Sequence, residues 1–504
     1  MKKRIFALFL VLCLLTGCTA TQSPESTDHT HVDAEDNALC DTCGENLLVR
    51  IDLYSVNDLH GKVADGDEHP GVDELTTYIK TARESGENVL LLSAGDMWQG
   101  SSESNMTRGQ LTTQWMNDIG FAAMTMGNHE YDWGEAPIEE NAKVAQFPFL
   151  AINIYDRQTN EQVSYCKSST VVTMDGIQIG IIGAIGDCYS SISADKVSDV
   201  YFKVGQQLTD LVAKEADRLR AEGADLIVYV LHDGFGQSKG ASVTKVTGSQ
   251  LSSYYDTDLS NGYVDIVFEG HSHQRYLLQD EYGVYHVQNG GDNQGISYAQ
   301  VSVNSVTGSC QVQKPQLIST GTYARMEDDP IVSELLLEYD GQISPATRLL
   351  GTNSSRLSRN ELRQIAADLY YEAGMEKWGQ AYDIVLGGGF FSVRDPGYLA
   401  AGEVTYADLY GLFPFDNDLV LCSISGRDLR ERFFETDNSN YFISYGRYGE
   451  QVRQSIDPNA TYYVVVDTYS SLYGPNNLTE VERYDKGVYT RDLLAQYIEA
   501  GGLE

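Results

Sequence analysis

Basic side chains are scarce in this chain: Lys and Arg total 35 against 72 Asp and Glu, a formal charge of −37 over 504 residues. A surface this acidic repels phosphate polymers and excludes general nucleic-acid binding. It does not exclude a small anionic substrate, because bound metal ions set the field at their own site. Membrane-spanning runs are missing as well. The apolar stretch Ile5–Leu15 is too short to cross a bilayer, and no later stretch is long and apolar enough to do so. There is no short-period repeat. A hydrophobic fraction of 42% with 21% charged residues excludes collagen, coiled coil and global disorder. What remains is a globular chain too long for one core; at about 150 residues per domain, two or three domains are expected.

The start of the chain reads as an export signal. Lys2, Lys3 and Arg4 precede the apolar run, and Leu15-Thr16-Gly17-Cys18 resembles a bacterial lipobox. The expectation is a signal peptide over 1–17 and lipidation of Cys18. The protein would then be extracytoplasmic and held at the bacterial cell membrane by lipid alone. Residues 18–47 are polar and read as a solvated tether. Within it His29, His31, Cys40 and Cys43 have the residue types of a zinc knuckle. A local disulfide, two free thiols, or a calcium turn around Asp33, Glu35 and Asp36 are the alternatives left open. Among the later cysteines a Cys166–Cys188 bridge is the expected pair, though sequence does not assign connectivity.

From residue 48 a pattern recurs. Short apolar runs rich in β-branched residues end abruptly in polar clusters, with helical stretches such as Asp73–Ser85 and Val204–Glu222 between several of them. Alternating strands and helices imply an α/β fold whose ligands bind beyond the carboxyl ends of the strands. Five of the nine histidines stand in those clusters: His60 in Asn57-Asp58-Leu59-His60-Gly61, His129 in Gly127-Asn128-His129-Glu130, His232 in Leu231-His232-Asp233-Gly234, and His271 and His273 in Gly270-His271-Ser272-His273. Gly95-Asp96 closes a further run. Glycine permits the tight turns that aim ligands into one cavity. Imidazole and carboxylate donors together suit zinc or manganese. Two ions need roughly seven or eight protein ligands, and Asp58, His60, Asp96, Asn128, His232, His271 and His273 supply such a set.

These motifs resemble the calcineurin-like metallophosphatases, Gly127-Asn128-His129-Glu130 most specifically. The later part of the chain resembles the 5′-nucleotidase C-terminal domain, and the whole is similar to the bacterial 5′-nucleotidase/UDP-sugar hydrolase family. The resemblance implies a four-layer α/β/β/α metallophosphatase sandwich over 48–317 and a smaller α/β substrate-binding domain over 346–504; between them the residues, which lack strand-like apolar runs and carry Glu327-Asp328-Asp329-Pro330 before a helical stretch, read as a connector with a bridging helix over 318–345. The resemblance also implies that Asp58, His60 and His273 hold one divalent ion and Asn128, His232 and His271 the other, with Asp96 bridging; in several members Gln stands at the position of His273. Two such ions clamp a phosphate and activate a water for in-line attack on phosphorus. His129 then stabilises the transition state or protonates the leaving group, and Asp132, three residues on, fixes its tautomer.

In the second domain the match frays. Arg356 falls where the family binds phosphate. The family's Asn-Gly-Gly-Gly-Ile-Arg reads Leu386-Gly387-Gly388-Gly389-Phe390-Phe391, which leaves Arg394 as the replacement for the lost arginine. Phe415, in Pro414-Phe415-Asp416-Asn417, is the first expected base-stacking ring and Tyr469 the second. The expected activity is a 5′-nucleotidase acting on nucleoside monophosphates. Alternatives are a 2′,3′-cyclic nucleotide phosphodiesterase, a UDP-sugar hydrolase and a non-catalytic binding protein.

Overall fold

A computed structural model describes residues 29–66, 70–86, 88–247, 250, 262–313, 315–394, 396–434, 441–449, 451–473, 478–484 and 488–503. Cys18 and the export signal lie outside the described residues. Two seven-stranded sheets form the first lobe. In the first sheet, Leu48–Val56 pairs parallel with Val89–Ser93, which pairs with Ala123–Thr125, and antiparallel with Gly295–Asn304. In the second, Leu226–His232 lies between Ile177–Ile185 and Ile266–Glu269, all parallel.

Strand periodicity explains the stacking. Along Leu48–Val56, Ile51 and Leu53 face the space between the sheets, where they meet Ile179, Ile181, Val228, Val230 and Phe268. Tyr54 and Val56 face the other way, into a core shared with the helices Asp73–Glu84, Gln110–Ile119 and Glu135–Val144. Both faces are covered, so these strands read as unbroken apolar runs. The helix Gln206–Ala221 covers the outer face of the second sheet through Leu208, Val212, Ala216 and Leu219. Helix, sheet, sheet and helix make the four expected layers.

The second lobe has its own core around a five-stranded sheet in the order Phe442–Ser444, Ile384–Gly389, Thr461–Asp467, Leu419–Ser425, Thr479–Arg483. The long helix Arg359–Trp378 packs on it and starts at a capping box in which Ser358 and Glu361 satisfy each other's backbone N–H. The lobes meet where Arg108 of the first reaches Asp416 of the second at 2.8 Å.

Two expectations are corrected. The helix Pro330–Glu338 is not a bridge: Val332 and Leu335 are buried in the core of the first lobe, and Lys80 holds its N-cap Asp329 at 2.7 Å. Residues 29–47 are not a solvated tether. Asp33, Cys40 and Leu47 are buried, and Asn304 donates to the Asp33 carboxylate at 2.7 Å. Asn304 and Thr307, far along the chain, supply the polar partners that fold the segment back on the sheet edge.

Candidate metal centre

The parallel strands of both sheets end at one edge, and each runs into a turn of the expected kind. The backbone there is unusual. Asp58, His60, Asp96, His271 and His273 all have positive φ, between 49° and 67°. Non-glycine residues in that region each cost about 1 kcal/mol or more and persist only where the surroundings enforce them. Here the turns lace each other together: Asp58 N–H bonds to Gly95 O at 2.9 Å, His60 N–H to Asp96 O at 3.0 Å and Gly61 N–H to Met97 O at 2.8 Å. Gly127 is required because a Cβ there would fall on the Asp96 carboxylate.

The lone pairs converge. His60 donates Nδ1–H to Gln99 O at 2.8 Å, which leaves Nε2 as an acceptor facing His273 Nε2 at 3.0 Å. His232 donates Nδ1–H to Ala94 O at 2.6 Å, and its Nε2 faces Asn128 Oδ1 and Asp96 Oδ2, both at 3.1 Å. Asn128 Oδ1 also lies 2.9 Å from His271 Nδ1. Asp58, His60 and His273 form one set of mutually close donor atoms, and Asp58, Asp96 and His232 another. Acceptors pointed at acceptors in a buried space need a cation between them. The chemistry of the set, nitrogen and oxygen with the second nitrogens of His60 and His232 held by backbone carbonyls, therefore fits transition-metal dications. Cys188 lies beside His232 and His271 but is no ligand: its thiol donates to His232 O at 2.9 Å, and burial pushes it well above the usual range.

Protonation shows the same tension. Burial opposes charge on His232, yet Asp96 and Asp58 push it up to about 10. Burial and then His273 press His60 down to about 3; burial and then His232 press His271 down to about 4. Against its own burial, Asp96 is held well below the carboxylate range by His232 and His129. Protons thus divide unevenly over a site whose carboxylates stay ionised, and a dication displaces them.

His129 stands beside these groups. Its backbone N–H bonds to Asp96 Oδ1 at 2.8 Å, its Nδ1 donates to Asp132 Oδ2 at 2.8 Å, and Arg394 lies 3.1 Å from its Nε2. Burial works against its proton, but Asp132 and then Asp96 raise its pKa above the ordinary value. Glu130, quoted in the motif but given no role, is fully buried and its carboxylate takes the backbone N–H groups of Asp96 at 2.9 Å, Met97 at 2.8 Å and Gly127 at 2.7 Å. It ties two ligand turns together, and its place directly after Asn128-His129 was the available signal.

A cleft opens from His129 between the lobes, lined by Asn128, Asp132, Arg394, Phe390, Phe415 and Tyr469 among others. The Phe415 ring lies 5.7 Å from that of His129, with the Arg394 guanidinium 5.1 Å from it. Phe391, where the family has arginine, is buried against Tyr370, so Arg394 is the cation that reaches the cleft. Arg356 does not line it: that side chain is exposed and lies on the Tyr398 ring at 3.8 Å. Arg359, the next arginine along, and Lys62 line an adjoining compartment with His60, His273 and Arg394. Neither was expected; both stand close in sequence to residues that were. Asp416 positions Phe415, since it pairs with the buried Arg491, which also donates to Phe415 O at 3.1 Å. Cys166 and Cys188 are both unpaired, which removes the expected bridge.

Residues 53–275 match the calcineurin-like phosphoesterase family, and residues 346–481 match the 5′-nucleotidase C-terminal domain. Protein UshA of Yersinia enterocolitica is 25% identical over 89% of this chain and 90% of its own length. A 5′-nucleotidase of Vibrio vulnificus is 24% identical, covering 71% of this chain and 69% of its own. The crystal structure of a 5′-nucleotidase precursor from Thermus thermophilus superimposes with a TM-score of 0.67 at 19% identity, over 90% of this chain and 96% of that one.

Proposed function

We propose, for a chain that belongs to the calcineurin-like phosphoesterases joined to a 5′-nucleotidase C-terminal domain, that the cleft releases phosphate from nucleoside 5′-monophosphates. The chain is a metal-dependent phosphoester hydrolase. The finer reading assigns Asp58, His60, Asp96, Asn128, His232, His271 and His273 to two divalent ions, zinc or manganese, which when bound supply Lewis-acid charge and a water of lowered pKa. The observation that carries the nucleotide reading is the row His129, Arg394, Phe415, Tyr469 leading away from the ligands. A phosphoryl group at the ligand turns would meet His129 and Arg394 first, and a base would then reach the two rings.

The chain's own groups have distinct work. Asp132 holds His129 in the tautomer that presents Nε2 to the cleft. The charged imidazole stabilises negative charge on the phosphoryl oxygens or gives its proton to the leaving oxygen. Arg394, 3.1 Å from His129 Nε2, is placed to pair with the oxygens of a phosphate held at that imidazole. Phe415 and Tyr469 stack on a base without reading its edges.

One observation favours a second reading. Arg359 lines the compartment beyond His60 together with Lys62, which pairs with Asp292 at 2.8 Å, and this further cationic lining fits a diphosphate such as a nucleotide sugar. Phosphate or nucleotide release from AMP, UDP-glucose, a 2′,3′-cyclic nucleotide and a nitrophenyl phosphodiester separates these readings. AMP turned over with the highest kcat/KM supports the first, and UDP-glucose the second. A chain that binds metal stoichiometrically and releases nothing from any of the four is a binding protein.

The export reading belongs to the same proposal: cleavage after Gly17, lipid on Cys18, and a position outside the cytoplasmic membrane. Among the described residues no helix is long and apolar enough to cross a membrane. Metabolic lipid labelling that misses Cys18, or no mobility shift with globomycin, overturns the anchor.

A further inference from the structure

We propose that His29, His31, Cys40 and Cys43 form a closed structural zinc site, separate from the catalytic centre, that pins the segment 29–47 to the edge of the first sheet. The four ligand atoms all lie within 4.8 Å of one another. Tetrahedral zinc, with bonds of about 2.3 Å to sulfur and about 2.05 Å to nitrogen, sets sulfur and nitrogen about 3.6 Å apart. Cys40 Sγ stands 3.5 Å from His29 Nε2, and Cys43 Sγ stands 3.8 Å from His31 Nδ1. Each sulfur therefore faces an imidazole at the spacing of a tetrahedral edge, and both cysteines are free rather than bridged.

The loop around them is built. Gly44, at φ 73°, returns its N–H to Cys40 O at 2.7 Å and closes the Cys-x-x-Cys turn. Asp41 N–H bonds to Val32 O at 2.8 Å, which ties the histidine segment to the cysteine turn. Cys40 is buried, with its sulfur turned toward the His29 ring. Two thiolates and two neutral imidazoles balance one dication. The calcium alternative loses its ligands: the Asp33 carboxylate takes Asn37 N–H at 3.0 Å, Ala38 N–H at 2.7 Å and Asn304 Nδ2 at 2.7 Å, and Asp36 takes Asn304 Nδ2 at 3.1 Å and Thr307 Oγ1 at 2.7 Å. These bonds dock the knuckle on the hairpin that follows Gly295–Asn304. The strand Leu48–Val56 then separates it from Asp58 by about 30 Å, so its role is structural and not catalytic.

The test replaces the bound metals of the whole protein with cobalt(II) under reducing conditions and reads the thiolate-to-cobalt charge-transfer absorption. The catalytic centre offers nitrogen and oxygen donors, so the band reports the knuckle alone. The wild type and Asp96→Ala are expected to show it. The double variant Cys40→Ser/Cys43→Ser is expected to lose it, to bind one metal fewer, to keep its phosphoester turnover, and to be cut by protease before Leu48 about ten-fold faster. If that variant does not fold, His29→Gln/His31→Gln is expected to lose the band's tetrahedral ligand-field partner in the visible. No band in the wild type, a band that survives loss of both cysteines, or a Cys40–Cys43 disulfide found by mass spectrometry in the protein as isolated overturns the site. Loss of phosphoester hydrolysis with the band intact counts only against the proposed activity.

Discussion

The two lobes hold their functional groups by different means. In the first, five of the seven proposed ligands sit at positive φ, in turns bonded backbone to backbone. In the second, Arg394, Phe415 and Tyr469 have no such backbone, and Phe415 is held through the ion pair of Asp416 with Arg491. A ligand aimed by main-chain geometry has no neighbour that can take over its place. A cation or ring that reaches a cleft from a loop can be replaced by another a few residues away, as Arg394 stands in where Phe391 has turned into the core. Substitutions in the first lobe should therefore abolish chemistry, and those in the second should shift affinity and preference.

The hardest break should come at Asp96. Asp96→Ala removes a fully buried carboxylate that faces His232 and takes the backbone N–H of His129. Metal content and turnover are expected to fall together, by more than the roughly 10–100-fold that follows loss of an outer-shell partner. Full metal content by elemental analysis with turnover lost would break the assignment of Asp96 as a ligand. His129→Ala comes next. It should keep its metal and lose turnover by about 10²–10⁴-fold. An unchanged rate at saturating metal removes His129 from the chemistry.

Arg394→Ala tests the other side of the comparison. A hydrogen bond to a charged group contributes about 1.5–3 kcal/mol, so kcat/KM for AMP should fall about 10–150-fold with metal content intact. Phe415→Ala should do less, raising KM for a nucleotide by the equivalent of about 1–3 kcal/mol while leaving a nitrophenyl phosphodiester nearly untouched. Equal losses on both substrates would mean that Phe415 supports the loop and does not stack.

The same contrast explains what could be read from the sequence. The ligand turns were legible because strand ends, glycine and histidine recur together, and backbone geometry allows few substitutes. Arg356 misled because a motif fixes a residue's place in the chain but not where a long side chain points; it lies on Tyr398, and Arg359 lines the compartment beside the cleft. Lys62 and Glu130 were missed for a related reason: one acts through reach, the other through backbone bonds invisible in a residue string. The folded segment 29–47 was unreadable because its composition is that of a tether, and its order comes from Asn304 and Thr307, far along the chain.

The smallest effect should separate Asp132 from the groups it serves. His129 carries a raised pKa because Asp132 and Asp96 favour its charged form against burial. The proton is therefore held above the free imidazole value of about 6.5, and the contribution of this pair, to stability and to catalysis alike, is complete below that value and lost as pH rises through the folded one. Asp132→Asn removes the larger of the two attractions and keeps the hydrogen bond. The alkaline limb of kcat should move to lower pH, with the acid side of the profile and the metal content little changed. Both proteins carry the same metals, so any depression those charges impose on His129 cancels in the comparison. An alkaline limb that stays in place while the rate falls uniformly would make Asp132 a turn cap and leave His129 to be set by Asp96 alone.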